Sequence, residues 1–159
     1  MIKQVLLKKA KGLPVVEKPV GLKKFVVCMV GSKKFLIELD KVRELVPLTT
    51  IANIPGTDHK ILGALYLRGE IVVIIDLREK LNVSEVKKTI ASRFVIVDVE
   101  GELLGIFVDE AQQIIEVGKE QIAKEVEEKE DFFYEYVDVD GLLVGVLDLS
   151  KIYFDYKIK

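Results

Sequence analysis

The sequence predicts an all-β protein of two small β-barrels around one shared core. Two observations carry that reading. First, the apolar residues fall in short runs rich in Val, Ile and Phe, each bounded by Gly, Asp or Pro turn signals, which is the pattern of strands and hairpins. Second, the runs repeat. Phe25-Val26-Val27-Cys28-Met29-Val30 lies over Phe94-Val95-Ile96-Val97-Asp98-Val99, and without a gap Phe35-Leu36-Ile37-Glu38-Leu39-Asp40 lies over Leu104-Gly105-Ile106-Phe107-Val108-Asp109. At a slightly larger offset, the stretch from Gly69 to Leu77 lies over that from Gly141 to Leu149. Each copy reads as a hairpin, a bent segment and a strongly apolar strand ending in Asp-Leu, and two such copies are too few for a solenoid. Two barrels on one core leave a groove between them.

The elements follow in order. Residues 1–24 carry Lys3, Lys8, Lys9, Lys11, Lys18, Lys23 and Lys24 against a single acid, Glu17, and are expected to form a solvated basic arm. A sharper reading has Val5-Leu6-Leu7 docking as a short strand or helix. Residues 25–156 are expected to form one domain of two intertwined β-barrel halves, spanning about 25–81 and 93–153. Phe25 to Val30 and Phe35 to Leu39 are strands joined by a turn at Gly31-Ser32-Lys33-Lys34. From Asp40 to Val46 the period changes: Val42, Leu45 and Val46 recur at three and four, predicting a short helical or bent segment that Pro47 ends. Thr49 to Ile54 is a short extended piece before the Pro55-Gly56 turn. Ile61 to Leu67 is apolar, Arg68-Gly69 breaks it, and Ile71-Val72-Val73-Ile74-Ile75 reads as a strand buried on both faces. Leu77 to Leu81 suggests one or two helical turns, and residues 82–92 connect the halves. In the second copy Arg93 to Val99 and Leu103 to Val108 are strands around Glu100-Gly101, and Asp109 to Val117 shifts period again. Gly118 to Asp131 is charged and poorly anchored, an exposed loop or frayed helix. Phe133 to Val139 and Leu142 to Leu147 form the last hairpin about Asp140-Gly141, and Ser150 can cap a short C-terminal helix.

Composition narrows the function classes. The 159 residues are 50% hydrophobic and 31% charged, with a net charge of -2, which argues against affinity resting on phosphate neutralisation. No apolar run reaches the roughly 18 residues of a membrane span. The N-terminus lacks a secretory signal pattern, and one cysteine allows no internal disulfide, as expected of a cytoplasmic protein.

A search for chemistry yields no catalytic, cofactor or metal set. His59 beside Lys60 reads as a surface histidine, and Cys28 inside a β-run as an inert core residue. No His or Cys pair has metal-ligand spacing, and no glycine-rich loop precedes a Lys-Ser/Thr helix start. Asp40, Asp76, Asp109 and Asp148 each close a strand. Two aspartates on duplicated halves suggest an aspartic protease, but the Thr/Ser-Gly that must follow each is missing, so strand-end acceptors are expected.

The stretch Ile54-Pro55, then Ile61-Leu62-Gly63-Ala64-Leu65-Tyr66-Leu67-Arg68-Gly69-Glu70-Ile71-Val72-Val73-Ile74-Ile75-Asp76-Leu77, resembles the G-x-x-N-L-R-G…D-L segment of the CheW family of chemotaxis coupling proteins. The resemblance extends upstream through Phe35 to Leu45 and downstream through Gly105-Ile106-Phe107-Val108-Asp109, covering roughly Leu22 to Tyr153. Tyr66 stands where the family usually has Asn, and Val73 where Pro is common. The resemblance implies two SH3-like five-stranded barrels with a few short helices, and a non-enzymatic scaffold linking the histidine kinase CheA, through its regulatory domain, to the cytoplasmic tips of chemoreceptors. It also implies a cytoplasmic location in receptor arrays at the inner face of the membrane, and the absence of a long exposed apolar helix predicts a monomer when isolated. The receptor's helical hairpin would dock between the barrels, against Val26, Leu39, Val42, Glu44, Leu45, Gly63, Arg68 and Ile114. Helical spacing puts Val42 and Leu45 on one face, and the duplication makes Ile114 symmetric to Leu45. Arg68 has two readings: a fork of donors facing the groove, or an internal pair with an acid such as Glu44. The alternatives are a CheV-like adaptor, for which the chain has no room for a receiver, and a small barrel binding peptide or nucleic acid through its aromatic clusters at Phe132-Phe133-Tyr134-Tyr136 and Tyr153-Phe154-Tyr156.

Overall fold

A computed structural model describes residues 22–84 and 88–157. The basic arm lies outside these residues except for Leu22, Lys23 and Lys24. Ten strands run in chain order: β1 (Lys23–Val30), β2 (Lys33–Glu38), β3 (Val42–Pro47), β4 (Ile61–Leu67), β5 (Glu70–Ile75), β6 (Arg93–Val99), β7 (Glu102–Val108), β8 (Glu110–Val117), β9 (Phe133–Val139) and β10 (Leu142–Leu147), followed by helix α1 (Leu149–Tyr156). Two-residue turns join β1 to β2, β4 to β5, β6 to β7 and β9 to β10. At Arg68-Gly69 both residues have positive φ, 49° and 83°. That matches the right-handed twist of the flanking strands, and the glycine makes it accessible.

The strands form two five-stranded sheets, ordered β8-β1-β2-β10-β9 and β3-β6-β7-β5-β4. The second order is the first with each strand replaced by its counterpart in the other copy. The registers obey the same symmetry. Val26 faces Ile114 across β1 and β8, as Val95 faces Leu45 across β6 and β3. Val146 faces Leu36 in the parallel ladder of one sheet, as Ile74 faces Gly105 in the other. Even the irregularities match: a bulge between Val42 and Glu44 in β3 corresponds to one between Ala111 and Gln113 in β8. The duplication read from the sequence is therefore a pseudo-twofold relation in space.

The sequence halves are not the barrels. Each sheet combines the first hairpin of one copy with the three later strands of the other. The connection at residues 82–92 separates the copies in sequence while the strands exchange across it. Alternation then sorts the side chains. One face of β1 and β2 joins one face of β6 and β7 in a shared core of Val26, Cys28, Phe35, Ile37, Val95, Val97, Ile106 and others, roofed by Ile152 and Tyr156 of α1. The opposite faces fill the barrels, one around Phe25, Leu36 and Val146, the other around Ile74, Phe94 and Ile96.

Several local expectations change. The segment from Asp40 to Val46 is bent, as one of its two readings had it: a 3-10 turn spans Leu39–Lys41, and the rest is the bulged strand β3 and not a longer helix. Its β-branched residues pair with β6 as an edge strand, and the bulge produces the spacing that resembled a helical period. The same holds for β8. In β5, Ile71 is 72% exposed because it sits at the hairpin tip, beyond the barrel, whereas Val72, Ile74 and Ile75 are fully buried. The cap of α1 is Asp148, whose side chain accepts from Lys151 N at 3.1 Å, not Ser150. Three of the four strand-end aspartates act as acceptors: besides Asp148, Asp76 Oδ1 takes the Arg78 amide at 2.9 Å, and Asp109 Oδ2 takes the Gly31 amide at 2.8 Å. No helix among the described residues is long and apolar enough to cross a membrane.

Candidate functional site

The expected groove residues divide into two sets. The first lies on the shared-core side. Val26 is buried in β1 and its pseudo-symmetric equivalent Val95 is buried in β6. Cross-strand partners share a face, so Ile114 beside Val26 and Leu45 beside Val95 extend that apolar surface outward onto the edge strands. There they are 56% and 40% exposed. Val42 and Leu39 are half-buried against the same core. In a regular strand residues three apart point to opposite faces. The bulge after Val42 resets the alternation, so Val42 and Leu45 both face the core side. The shared face predicted for this pair is present, produced by a bulge and not by a helical turn.

The second set lies on the other face of β3. Glu44 pairs in register with Ile96, which belongs to the barrel interior. From there Glu44 reaches the β4–β5 turn, where Arg68 Nε donates to Oε1 at 3.2 Å and Nη2 to Oε2 at 3.0 Å. This bidentate pair joins β3 and the end of β4, the two edges of their sheet. The hydrogen bonds from Arg68 hold the Glu44 carboxyl below its ordinary value and raise the guanidinium above its own. Of the two readings of Arg68, the pair with Glu44 is the one observed. At the pseudo-equivalent positions of the other barrel stand Gln113 and Asp140, which cannot form such a pair. The ion pair therefore breaks the symmetry and marks one end of the molecule. Gly63 is also on this barrel. It is buried at φ 154°, and a Cβ there would meet the Ala52 carbonyl oxygen at 2.5 Å. Its absence of side chain lets Ala52 and Ala64 exchange backbone hydrogen bonds of 2.8 Å each.

Beside the Arg68 turn, Tyr66 and Ile71 form a cross-strand pair, 74% and 72% exposed. The sequence reading missed this patch by assigning Ile71 to the interior. The usable signal was its position two residues from a turn, where a strand outruns its barrel.

Other candidates are structural. Cys28 is fully buried, and that burial pushes its thiol well above the ordinary range. His59 is on the surface, 3.0 Å from Glu79. The first aromatic cluster is no stacking platform: Phe132 and Phe133 are buried and pack edge to face with centroids 4.6 Å apart. In the second cluster Tyr156 is buried, its hydroxyl donating to the Asp76 carbonyl, while Phe154 is 77% exposed.

Residues 24–155 match the family model of the CheW-like domain. The chain is 29% identical to the chemotaxis protein CheW of Bacillus subtilis over 133 residues, covering 81% of this chain and 85% of that one. It is 29% identical to CheW of Klebsiella aerogenes over 148 residues, 89% of each. A crystal structure of the scaffolding protein CheW from Thermoanaerobacter tengcongensis superposes with a TM-score of 0.75 at 26% identity, covering 84% of this chain and 88% of that one. The match spans both copies of the duplication and the strands of both sheets: the chain belongs to the CheW family.

Proposed function

We propose that this protein is a non-catalytic chemotaxis scaffold, monomeric when isolated, that couples the histidine kinase CheA to the cytoplasmic tip of a chemoreceptor at receptor arrays on the inner face of the membrane. The observation that carries the reading is the apolar strip on the pseudo-twofold face. Leu45 and Ile114 are large apolar side chains left exposed beside a buried floor of Val26 and Val95. A helix-in-groove contact needs such anchors. An antiparallel helical hairpin has an approximate twofold of its own, which suits a surface whose two sides carry equivalent residues.

A coupling protein needs a second surface that the receptor leaves free. The Tyr66–Ile71 tip supplies one, since it lies on the β4–β5 hairpin, whose strands follow β7 in the sheet while β3 lies at the other end of the strand order. An aromatic beside a β-branched aliphatic, next to an arginine, has the composition of an interface anchor. The Glu44–Arg68 pair fixes the turn on which this tip stands, and we assign the regulatory domain of CheA to it.

The test is titration of the purified chain with the CheA regulatory domain, with a receptor-tip hairpin and with single-stranded DNA. Both proteins are expected to bind, each without displacing the other, and DNA is expected not to bind. Mutual exclusion of the two proteins, or salt-sensitive binding of DNA alone, would overturn the reading.

A further inference from the structure

A sizeable cleft lies at neither of these surfaces. It has a volume of about 670 Å³ and sits beside the β9–β10 hairpin. Its apolar part includes Met29, Leu142 and Leu143, and the last two are 65% and 52% exposed. Glu125, Glu127 and Glu128 line another side, all exposed. Two lysines also line it. Lys33 is paired with Glu130 at 3.2 Å, so Lys34 alone stands against the other three carboxylates. The cleft therefore offers apolar surface bordered by excess negative charge.

Residues 1–21 have the complementary composition. They carry Lys3, Lys8, Lys9, Lys11 and Lys18 against Glu17, interleaved with Val5-Leu6-Leu7, Leu13 and Val15-Val16. The point of attachment is favourable. The chain enters the described structure at Leu22, immediately before β1, and Met29 in the cleft is near the far end of that strand. That distance is about 20 Å at roughly 3.3 Å per strand residue. The fifteen or so residues from Leu22 back to Leu7 can span up to about 50 Å. Exposed ion pairs are weak singly, but a tether of this length gives an effective concentration on the order of millimolar.

We propose that the basic N-terminal arm of the same chain docks in this cleft, its lysines against Glu125, Glu127 and Glu128 and its apolar residues on Leu142 and Leu143. The arm shields the exposed leucines of the last hairpin. Any partner that uses this end of the molecule must displace it, so the arm competes with that partner from within the chain.

The test uses the full chain with Ala10→Cys carrying a nitroxide. Cys28 is fully buried and does not take the label. Amide signals of Leu142, Leu143 and Glu127 should broaden several-fold more than those of Leu45 and Ile114. The effect should fall between about 0.05 M and about 0.5 M salt as screening shortens. It should vanish in a Glu125→Lys, Glu127→Lys, Glu128→Lys variant, and equally when Lys8, Lys9 and Lys11 become Glu. The second variant alters only residues outside the described fold, so it keeps the test decisive if the first does not fold. Uniform broadening, broadening centred on another face, or indifference to both charge reversals overturns the proposal. So does broadening of equal size in a mixture of spin-labelled chains with separate isotope-labelled chains, because the occupant is then a second copy.

Discussion

Dividing the chain within the 82–92 connection tests the strand exchange. If each sequence half were a barrel, each fragment would fold alone. The observed topology requires the opposite. The β1–β8, β3–β6, β2–β10 and β5–β7 pairings all cross between the copies, leaving only hairpins within each fragment. The first copy also contributes Val26, Cys28, Val30, Phe35, Ile37, Ile75, Leu77 and Leu81 to the shared core. Losing burial for these side chains, at about 1.5–3 kcal/mol for each large one, removes on the order of 10–20 kcal/mol. A whole domain has about 5–15 kcal/mol of net stability. Neither fragment should therefore show cooperative urea unfolding as a monomer by circular dichroism. An equimolar mixture should recover the β signature and a single cooperative transition, and should elute as a one-to-one complex. A monomeric fragment with its own cooperative transition, or a mixture that stays unfolded, would refute the exchanged topology as the source of stability.

Three further outcomes follow. Arg68→Ala and Glu44→Ala should each weaken binding of the CheA regulatory domain while leaving the melting temperature nearly unchanged, because Arg68 is largely exposed, and the double variant should cost little more than either single one. Calorimetric titration of the three variants checks this. Acid should loosen the same region. Glu44 and Asp98 titrate below their ordinary values of 4.5 and 3.8, Glu44 through Arg68 and Asp98 through the Gly101 amide and then Arg43. Each lowered carboxyl contributes stability that is complete above its unfolded value and is lost as pH falls through the folded one. Because both carboxyls pair with exposed arginines, melting temperature should decline only slightly below about pH 4.5, and slightly less in Glu44→Gln. Hydrogen exchange should be fast across Glu125 to Lys129 and slow at Val72, Ile74 and Ile75, where the strand is central and buried; equal protection would contradict the core assignment.

Most of this architecture was legible in the residues. The repeated hairpins around Gly31-Ser32 and Glu100-Gly101 announced the duplication, because a short strand pair needs an apolar face and a turn residue at fixed offsets. What the repeat could not reveal is which copy each strand joins. Phe25 to Val30 presents the same alternating pattern to a partner from either half, and only three-dimensional packing selects β8 over β3. The bulges were hidden for a related reason. One extra residue at Arg43 turns a period of two into an apparent three, so Val42 and Leu45 imitated a helix face. Ile71 misled because five β-branched residues look uniformly buried in one dimension, while the barrel rim cuts across the strand. Of the residues expected to line a groove, Val26, Leu39 and Val42 lie at the shared core, and Ile114 and Leu45 pair with Val26 and Val95 on its edge strands. Glu44, Arg68 and Gly63 belong to the construction of one barrel, with the ion pair as an asymmetric mark that the duplication itself exposes.

The central claim is that one chain presents two separate docking surfaces, and isothermal titration of two variants against two partners tests it most directly. Leu45→Lys with Ile114→Lys alters the apolar strip at side chains already half exposed, so the fold should lose only about 1 kcal/mol per site or less. Tyr66→Ser with Ile71→Ser alters the hairpin tip. The strip variant should bind a receptor-tip hairpin at least about tenfold more weakly, a loss of about 1.4 kcal/mol, and the CheA regulatory domain as before. The tip variant should do the reverse. A correctly folded strip variant that binds the receptor hairpin as tightly as the unmodified protein would contradict the account.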